Sequence, residues 1–127
     1  MSKVLSILDS AYRASLEEQD DAGLWMSAAV AKAGADMSIL LTGSSVNYAT
    51  KGHRDDAMVL GGAEIAHPMN PNVDLERLAR AGSRCVVVEE DALERGIRRE
   101  DLIGVCEIVS RDQVTELLGE FDHIWQW

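Results

Sequence analysis

The chain has 127 residues, a length that suits one ordinary domain and excludes a multidomain machine. Hydrophobic residues make up 46% and charged residues 27%, with two prolines, so a buried core is available and no disorder signature is present. The formal net charge of −10 opposes a phosphate backbone or an anionic membrane surface as the main partner.

The first strand is predicted at Val4-Leu-Ser-Ile-Leu8. The opening Met-Ser-Lys-Val-Leu-Ser-Ile-Leu-Asp meets charge too early for a secretory signal, and no apolar run approaches the roughly 20 residues that span a bilayer. A cytoplasmic protein with no membrane contact is expected. Helical spacing follows, with Ser15-x-x-Glu18 as a capping box, Leu24, Trp25, Ala28, Ala29 and Ala31 as the apolar face, and Gly34 as the stop. Met37-Ser-Ile-Leu-Leu41 reads as the second strand, closed by Thr42-Gly43-Ser44-Ser45 and a helix around Val46–Thr50 that Lys51-Gly52-His53 ends.

Residues 53–70 show no clean period, and the runs around Gly61-Gly62 fit helix, strand or ordered loop. Asn70-Pro71 starts the next helix, which ends at Gly82. Cys85-Val-Val-Val88 is apolar throughout, as in a strand covered on both faces near a sheet centre. Asp91-x-x-Glu94 is expected to cap a short helix ended by Gly96, with another short turn at Leu102-Ile103. Val105–Val109 gives the fourth strand, Ser110-x-x-Gln113 caps a helix carrying Val114, Leu117, Leu118 and Phe121, and Ile124–Trp127 gives a fifth strand. This alternation predicts one α/β domain: a doubly wound, three-layer α/β/α sandwich around a mostly parallel five-stranded sheet.

Ligands of such sheets bind beyond the carboxyl ends of the strands, which selects Asp9-Ser10, Thr42 to Ser45, Glu89-Glu90-Asp91 and Ser110. Ser10, Gly43, Ser44, Ser45, Glu89 and Asp91 are therefore the ligand-binding candidates. Thr42-Gly43-Ser44-Ser45 can offer backbone N–H groups to a small anion, although a capped turn is the plainer reading of the same residues. Glu89, Glu90 and Asp91 can place two carboxylates close together, as general acid/base sites do, or form a solvated loop. Gly-x4-Gly-Lys-Ser/Thr and Gly-x-Gly-x-x-Gly spacings are absent, so no nucleotide cofactor is expected. His53 with Asp55 and Asp56, or His67, lacks the spacing of a metal site, and no metal is expected either.

Two cysteines suit reduced thiols in a reducing compartment. Cys85 opens an apolar strand, where a thiol is usually a small buried hydrophobe, and the nearby acidic residues disfavour a thiolate. Cys106 sits beside Glu107 in another strand that reads as buried.

The order and spacing of Lys3-Val-Leu-Ser-Ile-Leu8, Ile39-Leu-Leu-Thr-Gly43-x-x-Val46 with Lys51-Gly52, Leu78-Ala-Arg-Ala-Gly82-x-x-Cys-Val-Val-Val88, Leu93-Glu-Arg-Gly96-Ile97 and Asp101-Leu-Ile103 carry a resemblance. Over nearly its whole length the chain resembles the DsrE/DsrF/DsrH-like family, which includes the sulfur-relay proteins of the TusBCD complex. The resemblance implies a single DsrE-like domain over residues 1–127, a flavodoxin-like fold, and homo-oligomers, as trimers or hexamers. It also implies sulfur carried as a cysteine persulfide, on a thiol that alignment at Arg95-Gly96 places at position 88 or 91. Those positions hold Val88 and Asp91. A cytoplasmic binding, accessory or regulatory protein of sulfur metabolism is thus expected, with sulfur-relay proteins or a small anion as partners. The alternatives are a sulfurtransferase or persulfide carrier with Cys85 as its catalytic residue, and a small-molecule or anion sensor at the strand-end loops. Trp25, Trp125 and Trp127 suit either interface anchors or core.

Overall fold

The computed structural model describes residues 2–11, 21–53, 58–65 and 70–127. Strands β1 (Lys3–Leu8), β2 (Asp36–Leu41), β5 (Cys85–Val88), β6 (Cys106–Val109) and β7 (His123–Gln126) form one sheet in the order β6-β5-β2-β1-β7. Every pairing in it is parallel, with β1 and β2 in register from Lys3 opposite Asp36 to Leu8 opposite Leu41. Helices α1 (Ala22–Lys32), α2 (Pro71–Arg80), α3 (Glu89–Leu93) and α4 (Val114–Gly119) lie between strands, giving the expected α/β sandwich. Strands β3 (Met58–Leu60) and β4 (Ala63–Ile65) pair separately as an antiparallel hairpin. Gly61 and Gly62 turn it with φ of 55° and 82°, a pair of positive values that glycine adopts without strain, and this resolves part of the stretch without a clean period.

The central strand β2 is buried from Met37 to Leu41, which explains its lack of polar alternation. Alternate residues instead serve two cores. Met37, Ile39 and Leu41 join Cys85 and Val87 of β5 under Leu24, Ala28 and Ala31 of α1 and Leu75 and Leu78 of α2. Leu5, Leu40, Val86, Val88 and Val109 face Leu117 of α4.

Several local expectations change. Helix α1 is capped by Asp21, whose Oδ1 accepts from the Gly23 and Leu24 N–H groups at 3.0 and 3.2 Å. The proposed box at Ser15 and Glu18 lies outside the described residues. The segment expected as a helix at Val46–Thr50 is a 3-10 helix over Gly43–Ala49. Helix α3 begins at Glu89 directly after Val88, so Asp91 stands inside its first turn and is not its cap. A 3-10 turn covers Arg99–Asp101, while Leu102 bridges to Thr50. The Ser110–Gln113 capping box is present, with the Ser110 N–H donating to Gln113 Oε1 at 2.8 Å.

The tryptophans divide. Trp127 packs on the larger core and its indole N–H donates to Ser6 Oγ at 2.7 Å, whereas Trp25 and Trp125 are 48% and 38% exposed. Gly23 of α1 lies directly beneath Trp127, and a Cβ added there would sit 2.9 Å from the indole Cγ. Gly→Ala in a helix ordinarily gains up to about 1 kcal/mol, but overpacking costs about 1–3 kcal/mol. Gly23→Ala should therefore lower stability by about 1 kcal/mol and the thermal midpoint by about 4 °C. Calorimetry showing an unchanged or raised midpoint would contradict this packing.

Candidate functional site at the carboxyl ends of the strands

Because the sheet is parallel, β1, β2, β5 and β6 all end on the same edge, and their following loops meet there. The Ala11 N–H donates to Ser44 Oγ at 2.8 Å, joining the loop that holds half-buried Ser10 to the loop after β2. The Ser45 hydroxyl donates to the Leu8 carbonyl at 2.6 Å, with the Thr42 carbonyl 2.8 Å from the same oxygen. Gly43 has φ +56°, and a Cβ there would collide with the Asp9 carbonyl, so the close approach of these loops requires glycine.

The Gly43 N–H donates to Asp91 Oδ2 at 2.9 Å. Arg111, at the end of β6, donates from Nη2 to Asp91 Oδ1 at 2.7 Å, and its backbone N–H donates to both Glu90 carboxylate oxygens at 2.8 and 2.9 Å. Gly43 and Asp91 thus meet as candidates, but the anion received by the Gly43 amide is the protein's own Asp91. Glu89 turns aside and makes a two-pronged ion pair with Arg99, at 2.6 and 3.2 Å. Arg99 and Arg111 escaped the sequence reading; Arg111 directly follows Ser110, which the strand-end rule had selected.

The electrostatics follow the geometry. Burial disfavours the Asp91 charge, but the Gly43 amide and Arg111 outweigh it and hold the carboxyl below its ordinary value. Hydrogen bonding to Arg99 likewise lowers Glu89. A general acid needs a raised value, so neither carboxyl is tuned for that role. Among the described residues, no three His, Cys, Asp or Glu side chains converge to hold a metal ion. His53 places Nδ1 2.6 Å from the Asn47 carbonyl, while Asp55, Asp56 and His67 lie outside the described residues.

Cys85 does not join this edge. It opens β5, three residues before Val88, about 10 Å away along extended chain. Its side chain is 2% exposed, Sγ donates to the Leu75 carbonyl at 3.4 Å, and burial pushes the thiol up to about 12. Cys106 stands opposite it in the β5–β6 register, is half-buried, and is also pushed up to about 12 by burial and then by Cys85. Val88 is buried in the smaller core.

No protein family matches the chain by sequence, and no curated protein does. Solved structures do. YchN from E. coli matches over 100% of both chains with a TM-score of 0.77 and 18% identity. MTH1491 from Methanobacterium thermoautotrophicum, a protein of unknown function, also matches over 100% of both, with a TM-score of 0.63 and 16% identity. At such identities these likenesses speak to the fold alone, an α/β sandwich shared over the full length of the chain. Among the described residues, no helix is long and apolar enough to cross a membrane.

The Asp91 contacts set a pH dependence. Since its folded value lies below the ordinary 3.8, the stability it contributes is present above that value and lost as pH falls through it and beyond. Asp91→Asn keeps an acceptor for Gly43 but loses the charge, and should cost about 1 kcal/mol at pH 7 in urea denaturation. The gap should narrow as pH falls below 3.8; a gap that stays constant as the pH is lowered would place the Asp91 contribution elsewhere.

Proposed function

We propose that this chain is a DsrE-like cytoplasmic protein, related to the intracellular sulfur-relay proteins, that acts as a binding, accessory or regulatory subunit and does not itself carry persulfide sulfur. The fold likeness and the family-like segments support the lineage. The absence of a carrier role rests chiefly on the placement of Asp91, a carboxylate tied to Gly43 and Arg111 where the resemblance would put a thiol. Sulfur transfer proceeds by attack of a thiolate, and a thiol near 12 is ionised to about one part in 100,000 at pH 7. The covered position of Cys85 further opposes access by a donor or an acceptor protein.

This reading keeps assembly. Ile124 and Trp125 are both substantially exposed on β7, and β7 is an edge strand of the sheet. An edge strand with exposed apolar side chains favours coverage by another protein surface. A homo-oligomer, trimer or hexamer, is the proposed state, with sulfur-relay proteins as further partners.

Two measurements test these claims. Incubation with polysulfide should leave Cys85 without the labile adduct of about 32 mass units that a persulfide adds, and the thiol should label only after denaturation. A native adduct that is lost in Cys85→Ser and passes to an acceptor would instead make this a carrier. Separately, light scattering at micromolar concentration should give a trimer or larger, and Trp125→Ser should shift it toward monomer. A monomeric wild type would remove the assembly claim.

A further inference from the structure

Away from the strand-end loops, a cavity of about 660 Å³ opens between α1 and α2. That volume falls within the range of small-molecule sites, roughly 300–1,000 Å³. Its surface includes Ala28 and Ala29 of α1 and Ala81 just beyond α2. These side chains end at Cβ, so a flat group can approach the helix backbone closely. The indole of Trp25 also lines the cavity and is 48% exposed, offering a large aromatic surface to a ligand.

Among the described residues, the charged lining is Lys32, Arg77 and Arg80 against one carboxylate, Asp74. Asp74 is buried and receives Arg77 Nη1 at 3.3 Å. Lys32 and Arg80 make no ion pair with a described residue, whereas Arg77, Arg84, Arg95, Arg98, Arg99 and Arg111 all do. Lys32 lies in the last turn of α1, and Arg77 and Arg80 lie in the last turn of α2. Their charges complement the carbonyl ends of both helices, while their side chains also border the cavity.

A local excess of cations in a chain of net charge −10 selects the size of the ligand as well as its sign. A small anion inside the cavity lies within the roughly 8 Å screening length of these cations, whereas a long polyanion would also meet the acidic remainder of the surface. We propose that the cavity between α1 and α2 binds a small anion built on a flat aromatic ring, with the ring against Trp25 and the alanines and its carboxylate or phosphate at Lys32 and Arg80. This site is separate from the strand-end loops and does not depend on whether the chain carries sulfur.

The test is titration of the full chain by calorimetry and by the NMR signal of the Trp25 indole N–H. The anionic ring probes are 2-naphthoate, 2-naphthyl phosphate and adenosine monophosphate; the controls are 2-naphthol and adenosine, which lack the charge, and ribose 5-phosphate, which lacks the ring. At least one anionic ring compound should saturate a single site and move the Trp25 signal, with its matched controls about tenfold weaker or more. Comparison of the naphthoate with the naphthyl phosphate separates carboxylate from phosphate recognition. The Lys32→Gln/Arg80→Gln double variant and Trp25→Ala should each weaken binding about tenfold while circular dichroism remains that of the folded protein. The proposal is overturned by lack of saturation with all three anionic rings up to about 10 mM, by equal binding of the uncharged rings, or by binding that neither variant weakens.

Discussion

Parallel pairing of all five main strands obliges each connection to cross a face of the sheet, because parallel neighbours cannot be joined by a tight hairpin. In the order β6-β5-β2-β1-β7, the first three crossings step in one direction and the last returns past β1 to the opposite edge. With crossovers of one hand, three fall on one face and one on the other. The two cores show this division: α1, α2 and Ala92 of α3 belong to the larger, and Leu117 of α4 to the smaller. Polar groups inside the larger layer must then find internal partners. Ser6 does so, receiving the Trp127 indole N–H and lying 2.8 Å from the Ser27 hydroxyl.

The same constraint gathers the carboxyl ends of all five strands on one side, the usual place for a site in such folds. Here the gathered groups bind one another. Asp91 takes the Gly43 amide and one Arg111 donor, and Glu90 takes the Arg111 backbone N–H. Exposed ion pairs alone would contribute little, since screening and side-chain entropy offset them. The backbone donor matters more, because Gly43 is held close to Asp9 by its own turn and presents its N–H without side-chain freedom to lose. The Gly43 amide that could receive an external anion thus donates to an internal one, Asp91.

The strands were legible because their side-chain pattern is local: Cys85–Val88 is apolar at every position, and β2 is nearly so. Helix starts were harder. The box read at Ser15 and Glu18 lies outside the described residues, and the described helix takes its cap from Asp21, immediately before it. Asp91 shows a different limit. Its spacing to Glu94 suggested a cap, while its actual donor, Gly43, lies 48 positions away in the sequence and meets it only because β2 and β5 are sheet neighbours. The short segment from Gly43 to Ala49 adopts the tighter 3-10 form, which apolar spacing does not distinguish from an α-helix over so few residues. The candidate loops could therefore be chosen from sequence, whereas their closure by Arg111 required the folded register.

Net charge, too, becomes more informative once it is located. β2 spans six residues, about 20 Å at 3.3 Å per residue, which is more than two screening lengths of roughly 8 Å. The carboxylates at the strand ends therefore do little to cancel cations beyond the opposite ends of the strands. Helices α1 and α2 each run back across the sheet between parallel strands, which carries Lys32, Arg77 and Arg80 to that opposite side. One edge satisfies its charges internally through Asp91, Glu90 and Arg111. At the other, Lys32 and Arg80 remain without a described ion-pair partner beside an open cavity and an exposed indole. The crossover geometry that pairs Asp91 and Glu90 with Arg111 at one end of the sheet thus sets Lys32 and Arg80 beside the α1–α2 cavity at the other.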